Sequence, residues 1–126
     1  PQHWNTAAIG RSGFDINVSL SQFTNTLTVI LRVSGENALD YFRLLRAQAE
    51  VEAARVLGPE LAWEEKPGKK EHWVALRRPA DYRNRADWPA QHEWTRRQLE
   101  AFDRFFRPRI RTLVLPAFQP EEEALQ

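Results

Sequence analysis

The sequence predicts an α+β domain with the element order ββαββα, an antiparallel sheet with two helices packed on one face. Three observations predict it. Residues 14–20 and 27–33 alternate apolar and polar side chains with the period of two of a half-buried strand. Apolar residues recur at three- or four-residue spacing over 39–56 and again over 99–113, as on helices. Between these helices, 61–65 and 72–76 read as a second hairpin.

Taken in order, the first strand sets Phe14, Ile16, Val18 and Leu20 on one face and Asp15, Asn17 and Ser19 on the other. Ser21-Gln22-Phe23-Thr24-Asn25 is a hairpin connection to the second strand, where Leu27, Val29, Leu31 and Val33 alternate with Thr26, Thr28, Ile30 and Arg32. Ser34-Gly35-Glu36 opens a helix with a capping candidate and an acidic first turn. Its core stripe is Leu39, Phe42, Leu45, Ala49, Ala53 and Val56, and Gly58-Pro59 stops it. Pro67-Gly68-Lys69-Lys70 turns the second hairpin. Residues 79–87 form a polar connection. Asp87 then caps a long helix that tolerates Pro89 in its first turn and buries Leu99, Phe102, Phe106, Ile110 and Leu113. Pro108 removes one amide inside that pattern, so this helix is expected to be kinked, or broken about a turn earlier near Arg104. Pro116 and Pro120 end the ordered part, leaving a single domain over 1–116 and an acidic, mobile tail over 117–126.

A chain of 126 residues holds one core, and 42% hydrophobic with 28% charged residues is the balance of a folded, soluble domain. No apolar run approaches the roughly 20 residues that span a bilayer, and no signal peptide opens the chain, so no membrane association and a cytoplasmic address are expected. The absence of any methionine suggests a processed chain or a piece of a longer protein. The absence of cysteine excludes disulfides, thiolate metal sites and cysteine nucleophiles. His92-Glu93-Trp94-Thr95-Arg96 has arginine where a His-Glu-x-x-His zinc site needs its second imidazole. His3 and His72 stand in unrelated segments, as surface or half-buried residues. Neither a nucleophile elbow nor a phosphate-binding Gly-rich loop is present. No cofactor and no metal are expected.

The net charge of +1 conceals three unlike segments: residues 1–65 carry −3, residues 66–112 carry +7, and Glu121-Glu122-Glu123 carry −3. The basic segment is where a polyanion would sit. Arg11, Lys69, Lys70, Arg77, Arg78, Arg83 and Arg85 are the candidate contacts to nucleic-acid phosphates, with Trp73 or Tyr82 available to stack on a base. In the last helix Glu93–Arg97, Glu100–Arg104 and Asp103–Arg107 have the i,i+4 spacing of stabilising ion pairs, which leaves Arg96, Arg109 and Arg111 to the candidate surface. Trp63, Trp73, Trp88 and Trp94 read as packing residues, while Trp4 is placed to cap a pocket or pack on the sheet. One catalytic alternative stands: Glu64-Glu65-Lys66 contains the Glu-x-Lys element of metal-dependent PD-(D/E)XK nucleases, with Asp15 as the upstream acid of a phosphodiesterase.

Five ordered blocks carry a family resemblance. These are Gln2-His3-Trp4 with Ile9-Gly10-Arg11-Ser12-Gly13-Phe14, then Pro67-Gly68-Lys69-Lys70, Asp87-Trp88-Pro89, Gln91-His92-Glu93-Trp94 and Phe106-Arg107-Pro108-Arg109-Ile110. Together they resemble the prokaryotic domain-of-unknown-function family numbered 4268. The resemblance implies a C-terminal module that follows a PD-(D/E)XK-nuclease-like region, a link with nucleic-acid processing and with defence against phage, and no catalytic residue to transfer. The expected function is therefore that of a non-catalytic accessory domain contacting DNA or RNA backbone. The alternatives are a structural domain, which forms a homodimer or meets the missing N-terminal nuclease-like region, and the phosphodiesterase.

Overall fold

The computed structural model describes residues 7–8 and 11–115. The expectations for His3 and Trp4, the first block of the resemblance up to Gly10, and the tail over 117–126 fall outside them.

Four strands answer the four expected: β2 (Phe14–Ser21), β3 (Thr26–Ser34), β4 (Ala62–Glu64) and β5 (Glu71–Pro79). A fifth, β1 (Ala7–Ala8), adds two residues at the edge of β2. The sheet is antiparallel throughout, in the order β1-β2-β3-β5-β4. β3 is the central strand, paired over its length with both β2 and β5, whereas β4 covers only Trp73, Val74 and Ala75 of β5.

Period two puts Phe14, Ile16, Val18, Leu27, Val29, Leu31, Val33, Val74 and Leu76 on one face, where they are buried against α1 (Ala38–Leu57) and α2 (Trp88–Arg111). The alternation fails at Ile30, expected among the outward residues. It is 2% exposed and stands in register with Ala75, also buried, on the face away from the helices. Asn17 of β2 and Ala75 of β5 flank Ile30 in register on that face, where Arg32, two residues further along β3, stays partly exposed.

The first helix starts at Ala38 rather than at Ser34-Gly35-Glu36: Ser34 closes β3, and Asn37 takes the capping position without a side-chain cap bond. Its buried stripe is Ala38, Phe42, Leu45, Ala49, Ala53 and Leu57, so Val56 is exposed and Leu39 only half-buried. The turn before β2 needs Gly13. Its φ is +88°, and a Cβ there would stand 2.8 Å from the Ser34 carbonyl oxygen; the two residues are held together by Ser34 N–H donating to Gly13 O at 2.8 Å.

α2 follows a short 3₁₀ turn (Arg85–Asp87) and runs uninterrupted past Arg104 and through Pro108 to Arg111. The break expected near Arg104 is not there. Asp87 occupies the N-cap position but does not cap; its Oδ2 accepts from Arg78 Nη2 at 3.2 Å and Gln91 Nε2 at 3.1 Å. Phe102, Phe106, Ile110 and Leu113 are buried as the spacing predicts, with Phe105 added and Leu99 half-buried. Aromatic rings join helix to sheet: Trp63 of β4 packs edge-on between Phe42 of α1 and Phe106 of α2, with centroids at 5.7 and 6.2 Å.

Candidate functional site

The seven candidate cations do not form one surface. β5 is nine residues long, so with a rise of about 3.3 Å per residue it holds its two ends roughly 27 Å apart. Lys69 and Lys70 precede it, and Arg83 and Arg85 follow it. The Lys70 carbonyl accepts from Gly35 N–H at 3.1 Å, which ties the lysine turn to the start of α1. At the opposite end, Ala80 N–H donates to Asn25 O at 2.7 Å and ties the β5–α2 connection to the β2–β3 hairpin.

Arg11 is consumed inside the fold. Its guanidinium donates to the carbonyls of Ile110 and Leu113 and to the Tyr41 hydroxyl at 2.9 Å, and lies 4.9 Å from the Tyr41 ring centroid. It closes the C-terminal end of α2, where carbonyls lack helical donors and a cation is favoured by the helix dipole. Arg77 forms a fork on Glu64 at 2.6 and 3.1 Å. Arg78 reaches Asp87, and Arg83 pairs with Asp81 at 3.1 Å in a contact where both side chains are largely exposed. Arg85 lies 5.0 Å from the Trp88 ring. Lys69 and Lys70 are exposed in the turn, with no ion-pair partner among the described residues.

On α2 the pairing differs from the expected scheme. Arg96, read as unpartnered, bridges Glu93 at 2.7 Å and Glu100 at 3.0 Å, so Arg97 and Arg104 form no ion-pair contact among the described residues. Arg107 pairs with Asp103 as the spacing predicts. Arg109 turns back onto its own helix, donating to Phe105 O at 2.7 Å with its guanidinium 3.8 Å from the Phe105 ring.

Asp15, Glu64 and Lys66 share the sheet face opposite the helices; Lys66 Nζ comes within 3.8 Å of Glu64 Oε1, but Asp15 stands apart from both. The register runs Asp15, Arg32, Trp73, Glu64, which sets the two acids three strand spacings, about 14 Å, apart. Arg32 binds Asp15 at 3.0 Å, and Arg77 binds Glu64. Lys66 Nζ stands 4.0 Å over the Trp73 ring, whose buried Nε1 has no hydrogen-bond partner among the described residues. No group of three His, Cys, Asp or Glu able to hold a metal occurs among the described residues. His72 is buried rather than at the surface, and its Nδ1 accepts the Lys66 N–H at 3.0 Å.

The hydrogen bond from Arg77, reinforced by its charge, holds the Glu64 carboxyl below its ordinary range against the opposing effect of partial burial. A depressed carboxylate contributes stability above its unfolded pKa and loses it as pH falls through the lowered folded value. Thermal unfolding at pH 7, 5 and 3 is therefore expected to show a falling Tm on the acid side, with a smaller fall in Glu64→Gln, which has no proton to take up. Equal acid slopes in the two proteins would refute the assignment.

The residue that sequence reasoning passed over is Phe23. In the hairpin connection its side chain is fully exposed, at 102% of the reference area. The turn beneath it is fixed by Thr24 N–H to Ser21 Oγ at 3.2 Å, by Thr26 Oγ1 to Thr24 O at 3.0 Å, and by Asn25 at φ +51°, a region asparagine tolerates. A large apolar residue amid polar turn residues was its only sequence signal. Across the Ala80–Asn25 bond lie Tyr82 and Trp88. The indole Nε1 of Trp88 donates to Tyr82 O at 2.6 Å, and 37% of the residue remains exposed.

Two hollows lie among the described residues. One of about 350 Å³ at the start of α1 is lined by Ser12, Gly13, Ser34, Glu36 and Asn37 among others; the other, of about 230 Å³, lies between Val56 of α1 and Ala101, Arg104 and Phe105 of α2. The Glu36 carboxylate disfavours an anion in the first.

Among the described residues no helix is long and apolar enough to cross a membrane. Compared with family models, residues 1–110 match the one described as "Domain of unknown function (DUF4268)". No curated protein and no solved structure matches the chain.

Proposed function

We propose, from the premise that this chain belongs to the DUF4268 family, that it is a non-catalytic module contacting nucleic-acid backbone. The observation that carries this reading is the distribution of cations in the +7 segment. Among the described residues Lys69 and Lys70 meet no carboxylate, and Arg83 makes an exposed pair with Asp81, the kind that contributes little to stability and yields readily to phosphate. The separation of Asp15 from Glu64, each neutralised by its own arginine, supports a role without catalysis. In a longer protein carrying a nuclease-like region, such a module would hold the strand while another region acts on it. Arg11, Arg77 and Arg78 are left out of the contact set, because their guanidinium groups are engaged within the fold.

Fluorescence anisotropy with mixed-sequence DNA and RNA oligonucleotides at 50 and 200 mM salt tests it. With about four phosphates contacted, affinity is expected to fall by roughly two orders of magnitude between these salts, almost equally across sequences. Lys69→Ala with Lys70→Ala is expected to reduce the slope of log affinity against log salt by about two. Absent or salt-insensitive binding would overturn the proposal. A concentration-dependent dimer with no affinity for nucleic acid would replace it with an assembly role.

A further inference from the structure

We infer that the end of the sheet carrying Phe23 is a binding platform for unpaired nucleotides, its rings stacking on bases while Arg83 and Arg85 meet the phosphates between them. The inference rests on the nucleic-acid reading above and adds the form of the ligand.

Three aromatic residues stand at this end of the sheet on two separate segments. Phe23 stands on the β2–β3 turn; Tyr82 and Trp88 belong to the β5–α2 connection and the first residue of α2. Phe23 and Tyr82 each lie two residues from the Asn25–Ala80 bond, so chain dimensions keep their Cα atoms within about 20 Å, the reach of a short oligonucleotide. Both segments are braced: the turn by its Ser21 and Thr26 bonds, the connection by Trp88 to Tyr82 O, Gln91 to Asp81 O and Arg78 to Asp87. The rings are thus displayed on ordered backbone, which limits the ordering cost of binding.

The guanidinium groups share the same place. Arg83 lies 5.7 Å from the Tyr82 ring and Arg85 lies 5.0 Å from the Trp88 ring, so these two rings are each accompanied by a cation. A fully exposed phenylalanine gains nothing from the fold, and one such residue alone is ordinary on a protein surface. Here the turn that carries it is tied by the Ala80–Asn25 backbone bond to the connection that carries two further rings and two arginines. Alternating ring faces and cations match the alternating bases and phosphates of a single strand, where every base offers a π-face. In a duplex the faces are stacked away, and only phosphates and groove edges remain.

The experiment uses the full chain and four labelled probes: dT12, U12, a 12-base-pair duplex, and an abasic 12-mer that keeps the phosphates and lacks the bases. Both single strands are expected to bind tighter than the duplex and the abasic strand. Phe23→Ala is expected to weaken dT12 and U12 binding about tenfold while leaving the abasic strand and the Tm unchanged, and Phe23→Tyr to restore it. Salt-dependent binding that is equal for all four probes, or indifferent to Phe23→Ala, would overturn the platform while leaving the backbone-contact reading standing. No binding to any probe would overturn both and point this end toward a protein partner.

Discussion

Phe106→Ala is expected to lower stability by about 3–5 kcal/mol, the largest single-residue loss in the domain, with a fall in Tm of more than about 10 °C. Phe106 is fully buried and is the meeting point of the aromatic cluster, with ring centroids 5.6 Å from Phe102, 4.9 Å from Phe105 and 6.2 Å from Trp63. Through Trp63 the cluster reaches Phe42, so one ring couples both helices to β4. Truncation removes the transfer free energy of a large apolar side chain and leaves a cavity walled by other rigid rings, which cannot collapse far into it. Urea unfolding followed by tryptophan fluorescence measures the loss. A change below about 1 kcal/mol would mean that the cluster repacks, contrary to this account.

Arg11→Ala is expected to cost about 2–4 kcal/mol, unusual for an arginine on a small domain. Two carbonyls at the end of α2 and the Tyr41 hydroxyl lose a charged donor together, and the segment before β2 loses its tie to both helices. Arg11→Lys is expected to recover only part of the loss, because an ammonium cannot span three acceptors with the guanidinium's fixed fork. Amide exchange should show the change concentrated in the last turn of α2. If Arg11→Ala left stability intact and weakened nucleic-acid binding, the residue would belong to the contact surface after all.

Much of the architecture was legible because its signals are local. Alternation over 14–20 and 27–33 set two strands, and the apolar stripes set both helices, although the first stripe was displaced at its ends by one residue, from Ala38 to Leu39 and from Leu57 to Val56. A stripe on a regular helix is defined by angle, and adjacent residues at its border compete on packing that only the tertiary structure decides. Ile30 escaped for a related reason: period two marks one buried face and is silent about single positions buried on the other. Ion pairing on α2 was misassigned because Glu93 and Glu100 bracket Arg96 at three and four residues, and i,i+3 geometry competes with i,i+4.

The candidate site was less legible, because neighbours in sequence were taken as neighbours on the surface. Lys70 and Arg83 are separated by an extended strand, while Phe23 and Tyr82, nearly sixty positions apart, flank one backbone bond. Arg11 looked like any other cation; that it caps a helix nearly a hundred residues downstream is a property of the closed fold alone.

The short reach of β4 has a consequence for the outer edge of the sheet. Beyond Ala75 the outer edge of β5 runs on uncovered through Leu76, Arg77, Arg78 and Pro79. A bare edge invites sheet growth from one molecule to the next and, at high concentration, fibrous aggregates. Here Arg77 and Arg78 keep their guanidinium groups on Glu64 and Asp87, so an added strand would have to desolvate two ion pairs, and Pro79 offers no amide to extend the ladder. Two residues that look like ligand contacts in the bare sequence thus stand where they disfavour the addition of a further strand.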